Sequence, residues 1–187
     1  MAPMLALSLA GCGINSIPTA EETTKARWAD VQNEYQRRAD LVPNLVATVK
    51  GYAAQEKDVL TAVTEARARA TSVQVSANDL GDPSKMAKFN DAQGSLSQAL
   101  GRLLMITENY PDLKSNQNFL ALQSQLEGTE NRITIARRDY NEAVRDYNTR
   151  IRTFPDMMAA KMIYGSKPMT PFEATTPNAQ TAPTVKF

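Results

Sequence analysis

The chain has 187 residues with 21 basic and 20 acidic side chains, a net charge of +1, no histidine and one cysteine. Without imidazole there are no His-dependent triads and no His-based zinc or di-iron sites. A lone thiol cannot build a thiolate metal cage or an internal disulfide, and a balanced charge leaves no electrostatic footprint for nucleic acid. Aromatics make up 6%, glycines number 8 and the mean hydropathy is −0.40, which favours one helical domain over a many-stranded architecture.

Residues 1–20 carry no charge, and Glu21 is the first charged side chain. Met4 to Ala10 is a short, mostly apolar run, far below the ~20 residues needed to span a bilayer. Leu9-Ala10-Gly11-Cys12 then looks like a bacterial lipobox: small side chains before the cysteine let a signal peptidase grip the backbone beside the scissile bond. Residues 1–12 therefore read as a lipoprotein signal segment, with Cys12 as the acyl acceptor. It departs from the usual pattern in lacking a Lys/Arg-rich start. Gly13 replaces the aspartate associated with inner-membrane retention, which points to the outer membrane of a diderm cell, or otherwise to the outer face of the cell membrane. Residues 13–20 read as a tether.

Helical periodicity fills 21–164. The first segment, about 21–41, places Trp28, Val31, Tyr35 and Val42 on one face, and Pro43 predicts a kink or short break. The second, about 44–75, carries Leu45, Val49, Tyr52, Glu56, Val59, Val63, Ala66, Ala70 and Val73 in one seam. Ser76 to Pro83 reads as a turn. The third segment, about 84–109, spaces Phe89, Leu96, Leu103 and Tyr110 by seven. Ser115 is a candidate N-cap for the fourth. There Phe119, Leu126, Ile133, Tyr140, Tyr147 and Phe154 recur every seven residues, so the repeated Arg-Asp-Tyr-Asn at 138–141 and 145–148 turns each Tyr inward and the polar residues outward. These seams predict an all-α, antiparallel bundle of about four long helices. Residues 165–187, rich in Pro and Thr, read as a disordered tail.

The segments QRRADLVPNLVATVKGY (36–52), EKDVLTAVTEARARA (56–70), LSQALGRLLMITENYPDLKSNQNFLALQSQLEGTENRI (96–133) and ARRDYNEAVRDYNTRIRTFP (136–155) resemble the LemA family. The resemblance implies an antiparallel helical bundle on a membrane-proximal anchor. It implies no settled activity, only a loose association with membrane proteases and envelope stress. Many members use an N-terminal transmembrane helix, and here Cys12 takes that place.

Arg37, Arg38 and Asp40, just before Pro43, form a candidate contact patch for a partner or lipid headgroup, or else pair with a neighbouring helix. Asn44 is a candidate cap. Glu56, in an apolar seam, must pair with an arginine such as Arg102 or Arg137, take a raised pKa, or sit at the rim. No catalytic, cofactor-binding or metal residue is assigned. The functional expectation is a lipid-anchored, non-enzymatic scaffold or adaptor for envelope membrane proteins, a membrane protease among them, with homo-oligomerisation as one mode. The alternative is a cell-wall or protease-linked stress factor using a carboxylate such as Glu56.

Overall fold

A computed structural model describes the backbone of residues 3–173 and the side chains of residues 15–173. Its helices are α1 (Pro3–Tyr52), α2 (Lys57–Ser72), α3 (Pro83–Thr107), α4 (Pro111–Lys114), α5 (Gln117–Arg150) and α6 (Asp156–Ala159). A 3₁₀ turn at Ala77–Asp79 leads into α3, and a π-type turn at Ala160–Tyr164 prolongs α6. No strand occurs among the described residues.

α1 and α5 are the long antiparallel pair. At one end Asn116 Nδ2 donates to the Tyr52 hydroxyl at 2.9 Å; at the other, Ser16 Oγ donates to Asp156 just beyond α5, at 2.7 Å. α2 and α3 form a hairpin packed along only the upper part of that pair. The molecule is therefore a four-helix head on a two-helix stem, with a hydrophobic cluster in each. The head buries Leu45 and Val49 against Val63, Leu96, Leu103 and Phe119; the stem buries Ile17, Trp28 and Val31 against Tyr140, Val144 and Tyr147. Fully burying each large apolar side chain contributes about 1.5–3 kcal/mol, so the heptad seams are the main source of stability.

Pro43 does not break the first helix. α1 runs through it, and the chain turns at residues 53–56 instead. Proline has no N–H to give the carbonyl four residues back, which strands the Ala39 oxygen. Arg67 of α2 fills that vacancy: its Nε donates to the Ala39 carbonyl at 2.7 Å. A charged side chain of α2 thus replaces a missing backbone bond of α1. The turn at 53–56 lets α2 fold back so that Leu60, Val63, Ala66 and Ala70 face α1.

Three further expectations are revised. The stretch read as a tether is helical, and within it Ile17 is completely buried. The N-cap of α5 is Asn116, whose side chain accepts from the Phe119 amide, and not Ser115. The fourth seam ends at Tyr147, because α5 stops at Arg150 and Phe154 is exposed. Residues 174–187 lie outside the described residues, but the start of the supposed tail is held in place, as follows.

Candidate functional site: a clamped strap and a buried arginine

α5 carries Asn141 and Asn148 seven residues apart, a separation of about 10.5 Å along a helix axis. Alongside it, residues 166–173 run as an extended strap in the opposite direction. Asn148 Nδ2 donates to the Met169 carbonyl at 2.8 Å and its Oδ1 accepts from the Met169 amide at 2.9 Å. Asn141 repeats the pattern on Phe172, at 3.1 and 2.7 Å. Three extended residues cover about 10 Å, so one heptad of helix matches one three-residue step of strap. The Tyr140 hydroxyl donates to the Thr170 carbonyl between the two clamps, and the Thr170 amide donates to the Leu80 carbonyl on the far side. The strap passes closest where Gly81 lacks a side chain: a Cβ there would approach the Pro168 carbonyl oxygen to 3.3 Å.

The strap also fills the core. Phe172 stacks on Trp28 with ring centroids 5.7 Å apart and meets Tyr140 edge-on at 5.4 Å. Trp28 in turn packs on Phe89 and Tyr140, and its Nε1 donates to the Val75 carbonyl at 2.9 Å. Burial pushes the hydroxyl pKa of Tyr140 well above that of free tyrosine. The strap thus closes the stem core beside the Leu80 end of the α2–α3 hairpin, with Phe89 of α3 against Phe172.

Next to the strap, between α1, α3 and α5, lies a polar cleft of about 590 Å³. Its floor is Arg38, whose side chain is 2% exposed. Nη1 donates to Ser97 Oγ at 2.7 Å and to Glu130 Oε1 at 3.0 Å; Nη2 donates to the Gln93 carbonyl at 3.1 Å and to Gln93 Oε1 at 2.7 Å. Gln93 Nε2 passes the chain on to the Ala70 carbonyl of α2. One guanidinium thereby links α1, α3 and α5, with α2 joined through Gln93. Arg38 also lies over the Tyr35 ring, 5.0 Å from its centroid. Burial raises the Tyr35 hydroxyl pKa, and the positive charges of Arg137 and Arg38 partly oppose that rise. Arg137 sits at the rim, over the Phe172 ring, and donates to the Glu173 carbonyl at 3.0 Å. The cleft presents hydrogen-bonding amides, hydroxyls and charges, and its arginine and carboxylate are already engaged with each other.

The LemA family model matches residues 27–187, a span that includes the Arg38 centre, both clamps and the strap. The chain belongs to the LemA family. It is 28% identical over 157 residues to magnetosome protein MamQ 1 of Paramagnetospirillum magneticum, covering 75% of this chain and 58% of that protein. It is 28% identical over 172 residues to MamQ of Magnetospirillum gryphiswaldense, covering 82% and 62%. Against protein LemA of Metamycoplasma hominis the identity is 26% over 121 residues, covering 65% and 51%. The chain thus spans between about half and just over three fifths of these relatives' lengths.

In this LemA-family chain the residues singled out from sequence do not form one patch. Arg38 is buried, while Arg37 and Asp40 are exposed, Asp40 accepting from Gln36 Nε2 at 2.8 Å. Asn44 lies inside α1 and caps nothing; its carbonyl accepts from Thr48 Oγ1. Glu56 sits at the start of α2 and pairs with neither Arg102 nor Arg137: its Oε1 accepts from the Tyr110 hydroxyl at 2.8 Å, and that bond raises the tyrosine's pKa. The Cys12 side chain lies outside the described residues. Among the described residues no helix is long and apolar enough to cross a membrane, and no group of three carboxylate or thiol ligands gathers in one place. The sequence reading missed Gln93, Glu130, Asn141 and Asn148. Only the Asn pair left a trace, as the last letter of the Arg-Asp-Tyr-Asn repeat.

Proposed function

We propose that this chain is a cell-envelope lipoprotein, acylated at Cys12, that works as a non-enzymatic scaffold or adaptor through contacts with other envelope membrane proteins or further copies of itself. The observation that supports this most is the continuity of α1. The helix that contains position 12 runs without a break to Tyr52, and within it Ile17 is already locked into the stem core. A flexible tether would leave the bundle tumbling at the bilayer; a continuous helix holds the head at a set height and angle, which a scaffold needs and a diffusing enzyme does not. Two or more acyl chains make such attachment stable, since each buried CH₂ contributes about 0.8 kcal/mol.

Mass spectrometry of the mature protein tests the anchor, with acyl groups expected on an N-terminal Cys12. Crosslinking of the acylated full chain in native membranes, followed by detergent extraction, tests the role. A reproducible complex with defined envelope proteins, or a homo-oligomer of fixed size, is expected. A monomer that crosslinks to nothing above the level of the Cys12→Ser chain refutes the reading.

A further inference from the structure

Nine large hydrophobic side chains are exposed among the described residues, and five of them fall between residues 154 and 164: Phe154, Met158, Met162, Ile163 and Tyr164. The other four are scattered over α1, α3 and α5. Phe154 and Met162 are 80% and 78% exposed. This segment is nonetheless held firmly. Asp156 is fastened between Ser16 Oγ at 2.7 Å and Arg150 Nη1 at 3.6 Å. Ala160 is buried in the stem core, and Gly165, at φ +57°, closes the turn with its amide on the Ala160 carbonyl. The turn is pinned by one side while its apolar side chains point out, and such a patch on a soluble body marks a contact surface.

Charge and position name the contact. Residues 150–167 hold four basic side chains, Arg150, Arg152, Lys161 and Lys167, and one acid, Asp156, for a net charge of +3 in a chain whose total is +1. Asp156 is spent on internal bonds, and its side chain is only 15% exposed. The segment packs against Ser16, four residues from Cys12, or about 6 Å along the helix axis. Large apolar and aromatic side chains framed by Lys and Arg are the pattern of a surface that lies in the headgroup region of a bilayer. We propose that the 154–164 turn is a second membrane contact, an interfacial foot that rests on anionic lipid beside the anchor and sets the stem's tilt. The foot deepens the anchored-scaffold reading but does not need acylation to bind.

The test uses full-length Cys12→Ser protein, which has no acyl chains, in co-flotation with vesicles of phosphatidylcholine alone or with 30% phosphatidylglycerol. Binding to the anionic vesicles is expected. Each basic residue near an anionic surface strengthens partition roughly fivefold, so Lys161→Gln with Lys167→Gln should weaken it roughly 25-fold. Phe154→Ser with Met162→Ser and Ile163→Ser should abolish flotation while circular dichroism and the melting temperature stay unchanged, since these side chains are exposed. All variants share the same N-terminal segment, so its contribution cancels. The proposal falls if the triple variant floats like its parent. It also falls if the parent does not float, or if the triple variant changes only the oligomeric state in sedimentation, which would make the patch an interface between copies. If the parent fails to float while the acylated chain still yields its crosslinked complexes, the foot is wrong and the scaffold stands.

Discussion

The two asparagine clamps invite the most direct test of how the stem is held. Replacing Asn148 with Ala removes two hydrogen bonds, at 2.8 and 2.9 Å, from the Met169 amide and carbonyl. Each bond contributes about 0.5–1.5 kcal/mol net, so the strap should be loosened by about 1–3 kcal/mol, or roughly 5- to 150-fold in its opening equilibrium. Hydrogen exchange followed by mass spectrometry or NMR reads this. The informative amide is that of Thr170, because its acceptor, the Leu80 carbonyl, is untouched by the substitution. Its exchange should accelerate within that range in Asn148→Ala, by a similar factor in Asn141→Ala, and by about the product of the two in the double variant, since both clamps restrain one strap. Phe172 keeps its core contacts in all three. Unchanged Thr170 exchange in the double variant would mean that burial of Met169 and Phe172 alone fixes the strap, and that the asparagines hold nothing.

Other expectations concern the head and its links. Arg67→Ala should cost about 1–3 kcal/mol by stranding the Ala39 carbonyl, and Pro43→Ala in the same chain should recover most of that by restoring the helical N–H; a urea double-mutant cycle with zero coupling would refute the substitution of one donor for the other. Arg38→Ala should cost about 2–5 kcal/mol in urea unfolding, by leaving Gln93 Oε1 unpaired in a buried site and by depriving Glu130 of its counter-ion, a smaller loss because that carboxylate is 42% exposed. A loss below about 1 kcal/mol would mean water replaces the guanidinium at no cost. The Asp79 carboxyl, bonded by Lys85 and by the hydroxyl and amide of Ser76, is held down to about 2 from 3.8. Its stabilising effect is complete above pH 3.8 and is lost as the pH falls towards 2. Asp79→Asn should therefore flatten the acid limb of the melting temperature in that window, and an unchanged limb would refute the linkage.

Much of the core, in head and stem alike, was legible in the sequence because heptad spacing and burial coincide. Val31, Val49, Val63, Leu96, Leu103, Phe119 and Ile133 all lie in the core their spacing predicts. The boundaries were not legible, for physical reasons. Pro43 marks the expected break, but a tertiary donor 24 positions later compensates for it. The real turn follows Gly51 through Ala53, Ala54, Gln55 and Glu56, all residues a helix accepts readily. The strap hid behind its composition: Pro168, Pro171 and the threonines suit an extended chain whether or not it is docked, and docking depends on asparagines 21 and 31 residues away. The Arg38 centre was half visible. The arginine stood out beside Pro43, but its partners Gln93 and Glu130 sit on helices whose rotation no single-helix pattern reveals.

Arg38 divides the two hydrophobic clusters, and that division has a consequence for assembly. Greasy heptads alone are indifferent to sliding, because moving α5 by seven residues along α1 would exchange one apolar contact for another of about the same worth. Such a slip would carry Glu130 about 10 Å from the guanidinium and bring Gln123 or Arg137 into its place, since those are the residues seven positions to either side. Gln123 has no charge to offer, and Arg137 would set cation against cation. The buried ion therefore works as a notch in an otherwise smooth ratchet: it admits a single alignment of the rods, and with it a single length for the whole molecule.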